Sequence, residues 1–432
     1  MSASSGTRKT GVEARSNLGR NLITMLLWQA GNYVVPLATF PYLTRVLGPG
    51  EFGTLSFATA LATYASVFVD WGFNLTGPAA AVRCRNDPRA LNELIWSTVL
   101  AKGMLCVVSL AVLMLYFRLG QLSPAFVSIA VCAWLSVIAN MLSMSWLLQG
   151  LERFGSFATL SLAGRFLTLP LTFMLVTNTS DTMVAAAIQS AAAITTSALS
   201  FVFVWKIGAI DRPVLSWRAI RSTLAGGAHN FLSTASVTLF GATNAVLLAS
   251  MAGTHQAGLY AAADKMRIVG NIVPAQINTV LYPRALSLFR EDRRAAAKLT
   301  VIGAIATLLT TALGVAIATT CADLFTRIVL GHAFTGSGDV LRLLCFATVF
   351  GNLAYFFGLQ VLVPFQLEGL RSRVMLAAGC ANIALAWLLI PRFGALGAAA
   401  SYLAAEAFIF VAYAVALACI GKLRAHFTQL HH

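Results

Sequence analysis

Long apolar runs, parted by short polar turns, fill nearly the whole chain. They lie near 21–45, 52–80, 94–117, 122–149, 157–177, 182–205, 226–252, 257–282, 299–321, 340–366, 374–391 and 395–420. A helix needs about 20 apolar residues to cross a bilayer, so each run is long enough, or nearly so, to span once. The pattern predicts an all-α integral membrane protein of about twelve transmembrane helices, with both termini on one side. We divide it into a disordered N-terminal tail (1–20), a first lobe of six spans (21–205), a linker (206–225), a second lobe of six spans (226–420) and a C-terminal tail (421–432). The run after the polar tail is too long for a signal-peptide core and is read as an uncleaved first span.

The two lobes share a faint repeat. Gly48-Pro49-Gly50-Glu51-Phe52-Gly53 follows the first run, and Gly253-Thr254-His255-Gln256-Ala257-Gly258 follows the seventh. Glycines five apart in equivalent turns suggest a duplication with two parallel repeats. Pro36, Pro41, Pro170, Pro274 and Pro364 fall inside runs, where each frees a carbonyl and allows a bend.

Composition agrees with the pattern. The chain is 58% hydrophobic and only 10% charged, with a mean hydropathy of +0.78. The net charge of +15 would suit nucleic acid, but its placement argues against that partner. Basic residues gather in alternate turns: Arg8, Lys9, Arg15 and Arg20; Arg83, Arg85 and Arg89; Arg153; Lys206, Arg212, Arg218 and Arg221; Arg284 to Lys298; Arg371 and Arg373; Lys422 and Arg424. By the positive-inside rule these ends, and both termini, are cytoplasmic.

Charges inside the runs carry the functional signal. Lys102, Arg165, Lys265 and Arg267 interrupt apolar sequence. A charge at mid-bilayer costs about 2.5–3.5 kcal/mol on insertion scales, so such groups line an enclosed path or pair internally. They outnumber the acids Asp70, Asp264 and Glu406, and an excess of buried positive charge suggests an anionic cargo. Arg165 either lines a cavity or joins a structural ion pair. Lys102 either does the same or snorkels to the interface. Asp264 and Arg267, three apart on one helix face, are placed to neutralise each other, which leaves Lys265 as the second choice for a substrate contact. Arg45, at the outer end of the first span, completes the basic set. Asp70, Asp264 and Glu406 are candidates for ion coupling or for internal pairing. Asn32, Asn244 and Trp28 are candidate sugar contacts. Amides such as these equally suit hydrogen bonding between helices.

Other motifs carry little. The literal G-x-G-x-x-G at 48–53 joins two spans and lacks the preceding strand that dinucleotide binding requires. There is no P-loop sequence and no H-E-x-x-H. The seven cysteines show no metal-ligand spacing and read as small buried hydrophobes. No metal or cofactor is expected, beyond H+ or Na+ as a coupling ion. Short outer loops count against an enzyme.

Several segments resemble a known family. Gln29-Ala30-Gly31-Asn32-Tyr33, Pro36-Leu37 and Pro41 to Pro49 are similar to the opening of O-antigen and exopolysaccharide flippases of the Wzx type. Asp70-Trp71-Gly72-Phe73-Asn74-Leu75 continues the match. Trp146-Leu147-Leu148-Gln149-Gly150-Leu151-Glu152-Arg153-Phe154 resembles the family's W-F-F-Q-G-x-E-K-M, departing at both phenylalanines, at Lys and at Met. Gly258 to Lys265, Leu281 to Arg284 and Phe393 to Ala399 resemble later signatures. The resemblance implies the multidrug/oligosaccharidyl-lipid/polysaccharide exporter fold, with two six-helix lobes around a central cationic cavity. It implies a cargo of undecaprenyl-pyrophosphate-linked oligosaccharide moved between leaflets by alternating access. A polysaccharide polymerase and a chain-length regulator are the partners expected with it. A drug or cation exporter of the same fold would favour buried acids, the reverse of the count here. A flippase for the peptidoglycan lipid precursor would be served by the same cationic cavity. The 146–154 and 258–265 segments favour the polysaccharide branch.

Overall fold

Side chains that avoid water and side chains that avoid lipid have exchanged their usual places. The computed structural model describes residues 6–429, with side chains between Val35 and Cys419 apart from short runs such as 232–234 and 236–241. Among the described residues every regular element is helical. On the third helix Val107, Val112, Leu115 and Leu119 are exposed, while Lys102, Ser97, Thr98 and Ser109 are buried. On the tenth, Val301, Ile302, Ile305, Leu309 and Leu313 are exposed, while Thr307 and Thr311 are buried. An apolar perimeter around a partly polar interior is the arrangement that lipid solvent demands.

The chain divides into two units. The first (1–46 and 58–235) holds most of α1 (Gly6–Asp70), then α2 (Phe73–Cys84), α3 (Pro88–Gly120), α4 (Pro124–Leu142), α5 (Ser145–Gly150), α6 (Phe154–Leu175), α7 (Thr182–Lys206) and the start of α8 (Trp217–Gly270). The second (47–57 and 236–432) holds the elbow of α1, the rest of α8, α9 (Ile272–Glu291), α10 (Arg293–Thr320), α11 (Ala322–Val329), α12 (Ser337–Phe357), α13 (Glu368–Phe393) and α14 (Ala395–Gln429).

Local sequence explains the boundaries. Asp87 caps α3 by accepting from the backbone N–H of Arg89 and Ala90, with Pro88 in the first turn. Ser123 caps α4 over Pro124, and Asp292 caps α10. Each cap supplies acceptors to N–H groups that the helix cannot satisfy. Eight stretches among the described residues are long and apolar enough to cross a membrane. One of them, Val35–Cys84, has 50 residues. At about 1.5 Å per residue it would reach about 75 Å, over twice a hydrocarbon core of about 30 Å. It is therefore too long for a single straight crossing, and the helix breaks within it at Gly48. The helix order is consistent with the twelve spans expected.

Several expected boundaries change. α1 begins at Gly6 and α14 runs to Gln429, so the N-terminal segment expected to be disordered is helical over 6–20, and the C-terminal tail is helical over 421–429. Residues 1–5 and 430–432 lie outside the described residues. The run 52–80 breaks at Trp71–Gly72, both at positive φ. The run 122–149 breaks between α4 and α5, and the run 257–282 breaks at Asn271. The expected linker 206–225 is tied to the first unit. Its Asp211 and Arg212 are hydrogen-bonded to Asn92 on α3, and the first unit extends past it to Ala235.

The repeated glycines have distinct tasks. Gly48 (φ 70°, ψ 174°) and Gly253 (φ 85°, ψ 168°) are the elbows of α1 and α8, in a region that side chains with a Cβ rarely adopt. Five residues on, Gly53 and Gly258 allow the two elbows to cross. A Cβ on Gly53 would run into the carbonyl of Thr254, and one on Gly258 into the carbonyl of Pro49. The contact is reciprocal: position six of each turn meets position two of the other.

Candidate functional site

Thr59, Thr63, Ser66 and Asp70 recur three or four residues apart, which sets them on one face of α1. That face meets Ser136 and Asn140 of α4 and Gln189 and Ser190 of α7, with Asn74 of α2 at the end. Together they line a cavity of about 400 Å³ in the first unit, a volume in the usual range for ligand sites. Eight of the thirteen lining residues bear a hydroxyl or an amide and one bears a carboxylate; Ala62, Val67, Ala133 and Ala186 complete the wall.

Behind this wall lies Lys102, 1% exposed. Its Nζ donates to the Asn140 carbonyl at 3.2 Å and to Asn140 Oδ1 at 3.1 Å. Asn140 Nδ2 in turn donates to the Ser66 carbonyl at 3.0 Å. The ammonium is 3.8 Å from Asp70 Oδ1, which is buried without a hydrogen-bond donor. Lys102, Asp70 and Asn140 thus form one polar cluster at the cavity wall. Lys102 neither snorkels nor faces the cavity directly. The ring of Phe73, 5.9 Å away, covers it from another side.

Arg165, on α6, stands apart. It is exposed, beside exposed Phe166 and Leu167, and no carboxylate pairs with it among the described residues. Its neighbour Gly164 packs α6 tightly on Thr196 of α7. Arg45, on α1, is also exposed. Trp28 and Asn32 lie outside the residues whose side chains are described.

In the second unit, Asp264 and Arg267 form the expected pair. Arg267 Nε and Nη2 lie 2.8 and 2.7 Å from Asp264 Oδ1, and the guanidinium sits over Tyr402 at 5.1 Å. Arg267 and Asn271 also border a largely apolar cavity of about 330 Å³. Lys265 is exposed, with its ammonium over the ring of Phe52 at 5.3 Å. Glu406 faces Gly351, where a Cβ would come within 3.0 Å of its carboxyl group.

Asn244 requires a correction. It is fully buried. Its Nδ2 donates to Tyr260 Oη and to the Ala398 carbonyl, and its Oδ1 accepts from Asn382. Asn244 ties helices together and has no group left for a sugar. The residues that sequence reasoning missed are Thr59, Thr63, Ser66, Asn74, Ser136 and Gln189. Their signal was present as polar positions at helical spacing inside apolar runs. Among the described residues no three His, Cys, Asp or Glu side chains gather as a metal site.

Exposed apolar helix faces and eight stretches long and apolar enough to span define a multi-pass membrane protein. The fold agrees. A solved inward-facing MATE-family multidrug transporter of the MOP superfamily superposes with a TM-score of 0.68 over 90% of this chain and 96% of its own, at 14% identity. The lipid II flippase MurJ, in an inward closed conformation, gives 0.71 over 91% and 87%, at 12% identity. The sequence matches the polysaccharide biosynthesis protein family over residues 18–289, and the chain belongs to that family. Among its relatives is the "Putative O-antigen transporter" of Escherichia coli (strain K12), 29% identical over 404 residues that cover 91% of this chain and 95% of the relative. A protein of the same name from Shigella dysenteriae is 24% identical over 90% of this chain and 97% of its own.

Proposed function

We propose that the chain is a flippase for polyprenyl-pyrophosphate-linked oligosaccharide. It moves the repeat unit from the inner to the outer leaflet of a bacterial inner membrane by alternating access, in O-antigen, capsule or exopolysaccharide assembly. The observation that carries this reading is the cavity of the first unit: about 400 Å³, with eight hydroxyl and amide side chains among its thirteen lining residues. Hydroxyl and amide groups at hydrogen-bonding reach are what a sugar needs and what an apolar drug does not. Family membership and the printed names of the two relatives support the same substrate class.

Each charged group then has a task. Arg165, exposed and without a carboxylate partner among the described residues, attracts the pyrophosphate, because guanidinium binds phosphate oxygens in pairs. Lys102 polarises the cavity wall through Asn140 and Asp70. Arg45 adds positive potential in the first unit and Lys265 in the second, where Arg267 holds Asp264. The prenyl chain stays in lipid. An inside-negative potential helps an anion outward by about 2.3 kcal/mol per charge per 100 mV. Both termini are cytoplasmic on the distribution of basic residues. The polymerase and chain-length regulator act on the delivered unit.

Deletion of the gene tests this. The mutant should lose surface polysaccharide and accumulate lipid-linked single repeats on the cytoplasmic leaflet. Normal surface polymer, with altered resistance to cationic drugs, would refute the reading in favour of a drug exporter.

A further inference from the structure

The segment that leaves α7 forms a second, separate recess. Gly208, at φ 72°, turns the chain back after Lys206. The returning strand of backbone is then held rigidly on α3. Asn92 Nδ2 donates to the Arg212 carbonyl at 3.1 Å, the Asp211 N–H donates to Asn92 Oδ1 at 2.9 Å, and Trp96 Nε1 donates to the Asp211 carbonyl at 3.1 Å. Ile210 is buried in the cluster that holds Leu91, Ile95 and Val204. All these bonds use the backbone of 211 and 212, so the Arg212 side chain is left exposed. It borders a cavity of about 340 Å³ walled by Trp96, Phe201, Trp205, Ile210, Pro213 and the neighbouring carboxylate Asp211. Trp205 is 62% exposed.

The charge and the apolar surface here point the same way. Residues 206–221 carry Lys206, Arg212, Arg218 and Arg221 against Asp211 alone. Between them Leu215 and Trp217 are 81% and 63% exposed. Bare tryptophan and leucine beside arginine are unfavourable in water. They are favourable where α7 leaves the bilayer, at the level of the headgroups, where indoles sit and basic side chains meet phosphate. The geometry points to a site for one anionic phospholipid of the surrounding bilayer, its phosphate on Arg212 and its upper acyl chain against Phe201 and Trp205. This site is distinct from the cargo cavity of α1, α4 and α7, and it does not depend on the nature of the cargo.

Native mass spectrometry of the full chain, titrated with dioleoyl-phosphatidylglycerol and with dioleoyl-phosphatidylcholine, tests the site. The protein should bind phosphatidylglycerol more tightly. A basic residue near an anionic surface contributes enough for about a five-fold change in affinity. Arg212→Gln should lower phosphatidylglycerol affinity by about that factor and leave phosphatidylcholine unchanged, while Arg212→Lys should retain most of it. Arg153→Gln, in a different basic turn, should have no effect. Trp205→Ala should weaken both lipids. Unchanged binding in Arg212→Gln, or an equal loss in Arg153→Gln, would overturn the proposal. The Arg212 carbonyl, not its side chain, carries the clamp to Asn92, so the glutamine variant keeps the fold.

Discussion

Replacing Lys102 by methionine should destabilise the first unit sharply, and removing Asp70 as well should restore most of the loss. Lys102 Nζ and Asp70 Oδ1 are 3.8 Å apart, which at an effective dielectric of about 20 corresponds to about 4 kcal/mol of attraction. With Lys102 gone, Asp70 keeps a buried carboxylate oxygen that has no hydrogen-bond donor. Breaking a buried pair from one side costs about 3–5 kcal/mol. Asp70 borders a cavity that admits water, so the lower end, about 3 kcal/mol, applies. Asp70→Asn leaves the ammonium with its two bonds to Asn140 and should cost about 1–2 kcal/mol, below the range for a buried charge left with no partner. The double variant carries neither charge and should cost about 1–2 kcal/mol in all, a coupling of about 2–4 kcal/mol. Unfolding in detergent, followed by intrinsic fluorescence, measures the cycle. Costs that add to within about 0.5 kcal/mol would refute a coupled pair.

Three further outcomes follow from named contacts. Arg165→Ala should abolish polysaccharide export while the protein still reaches the membrane, and Arg165→Lys should keep part of it; export assays with a membrane-fraction blot decide. Gly258→Ala should reduce the yield of folded protein and lower its melting temperature, because the new Cβ would strike the Pro49 carbonyl, whereas alanine at Gly226, which has open space around it, should change little. In the turn before α7, Asp181 accepts from the N–H of Thr177 and Asn178 at 2.9 and 2.8 Å, which holds its carboxyl below the usual range. A depressed native pKa means a contribution present above the unfolded value of about 3.9 and lost as pH falls through the native one. Amide exchange at Thr177 and Asn178 should therefore lose protection in that acid range, and Asp181→Asn should remove the dependence.

Much of this fold is legible in the sequence because lipid leaves few options. Apolar runs of spanning length must become helices, and Gly48 and Gly253 mark the same elbow in each half. The ends of the helices are less legible. Helix continues through 6–20 and 421–429 because nothing in those polar segments breaks it, and polarity alone was read as tail. Segment 206–216 looks like a linker by composition, yet Asn92 and Trp96, more than a hundred residues earlier, fix it in place. At the site, charges gave a stronger signal than hydroxyls. Lys102 and Asp70 stand out against apolar neighbours, whereas Thr59, Thr63 and Ser66 are common in membrane helices and reveal themselves only when α4 and α7 are seen opposite. Asn244 shows the opposite error: an amide in a span is as ready to bind another helix as a sugar, and Asn382 decides which.

The central claim is that this chain carries a lipid-linked saccharide across a bilayer. Purified protein in sealed liposomes, loaded with a polyprenyl-pyrophosphate disaccharide that bears a fluorophore on the sugar, measures it directly. A membrane-impermeant quencher should bleach about half of the signal in protein-free liposomes, because half of the lipid faces out, and nearly all of it once active protein equilibrates the leaflets. Arg165→Ala should return the trace to that of protein-free liposomes. Protein that leaves the inner-leaflet half protected under an inside-negative potential would contradict the account.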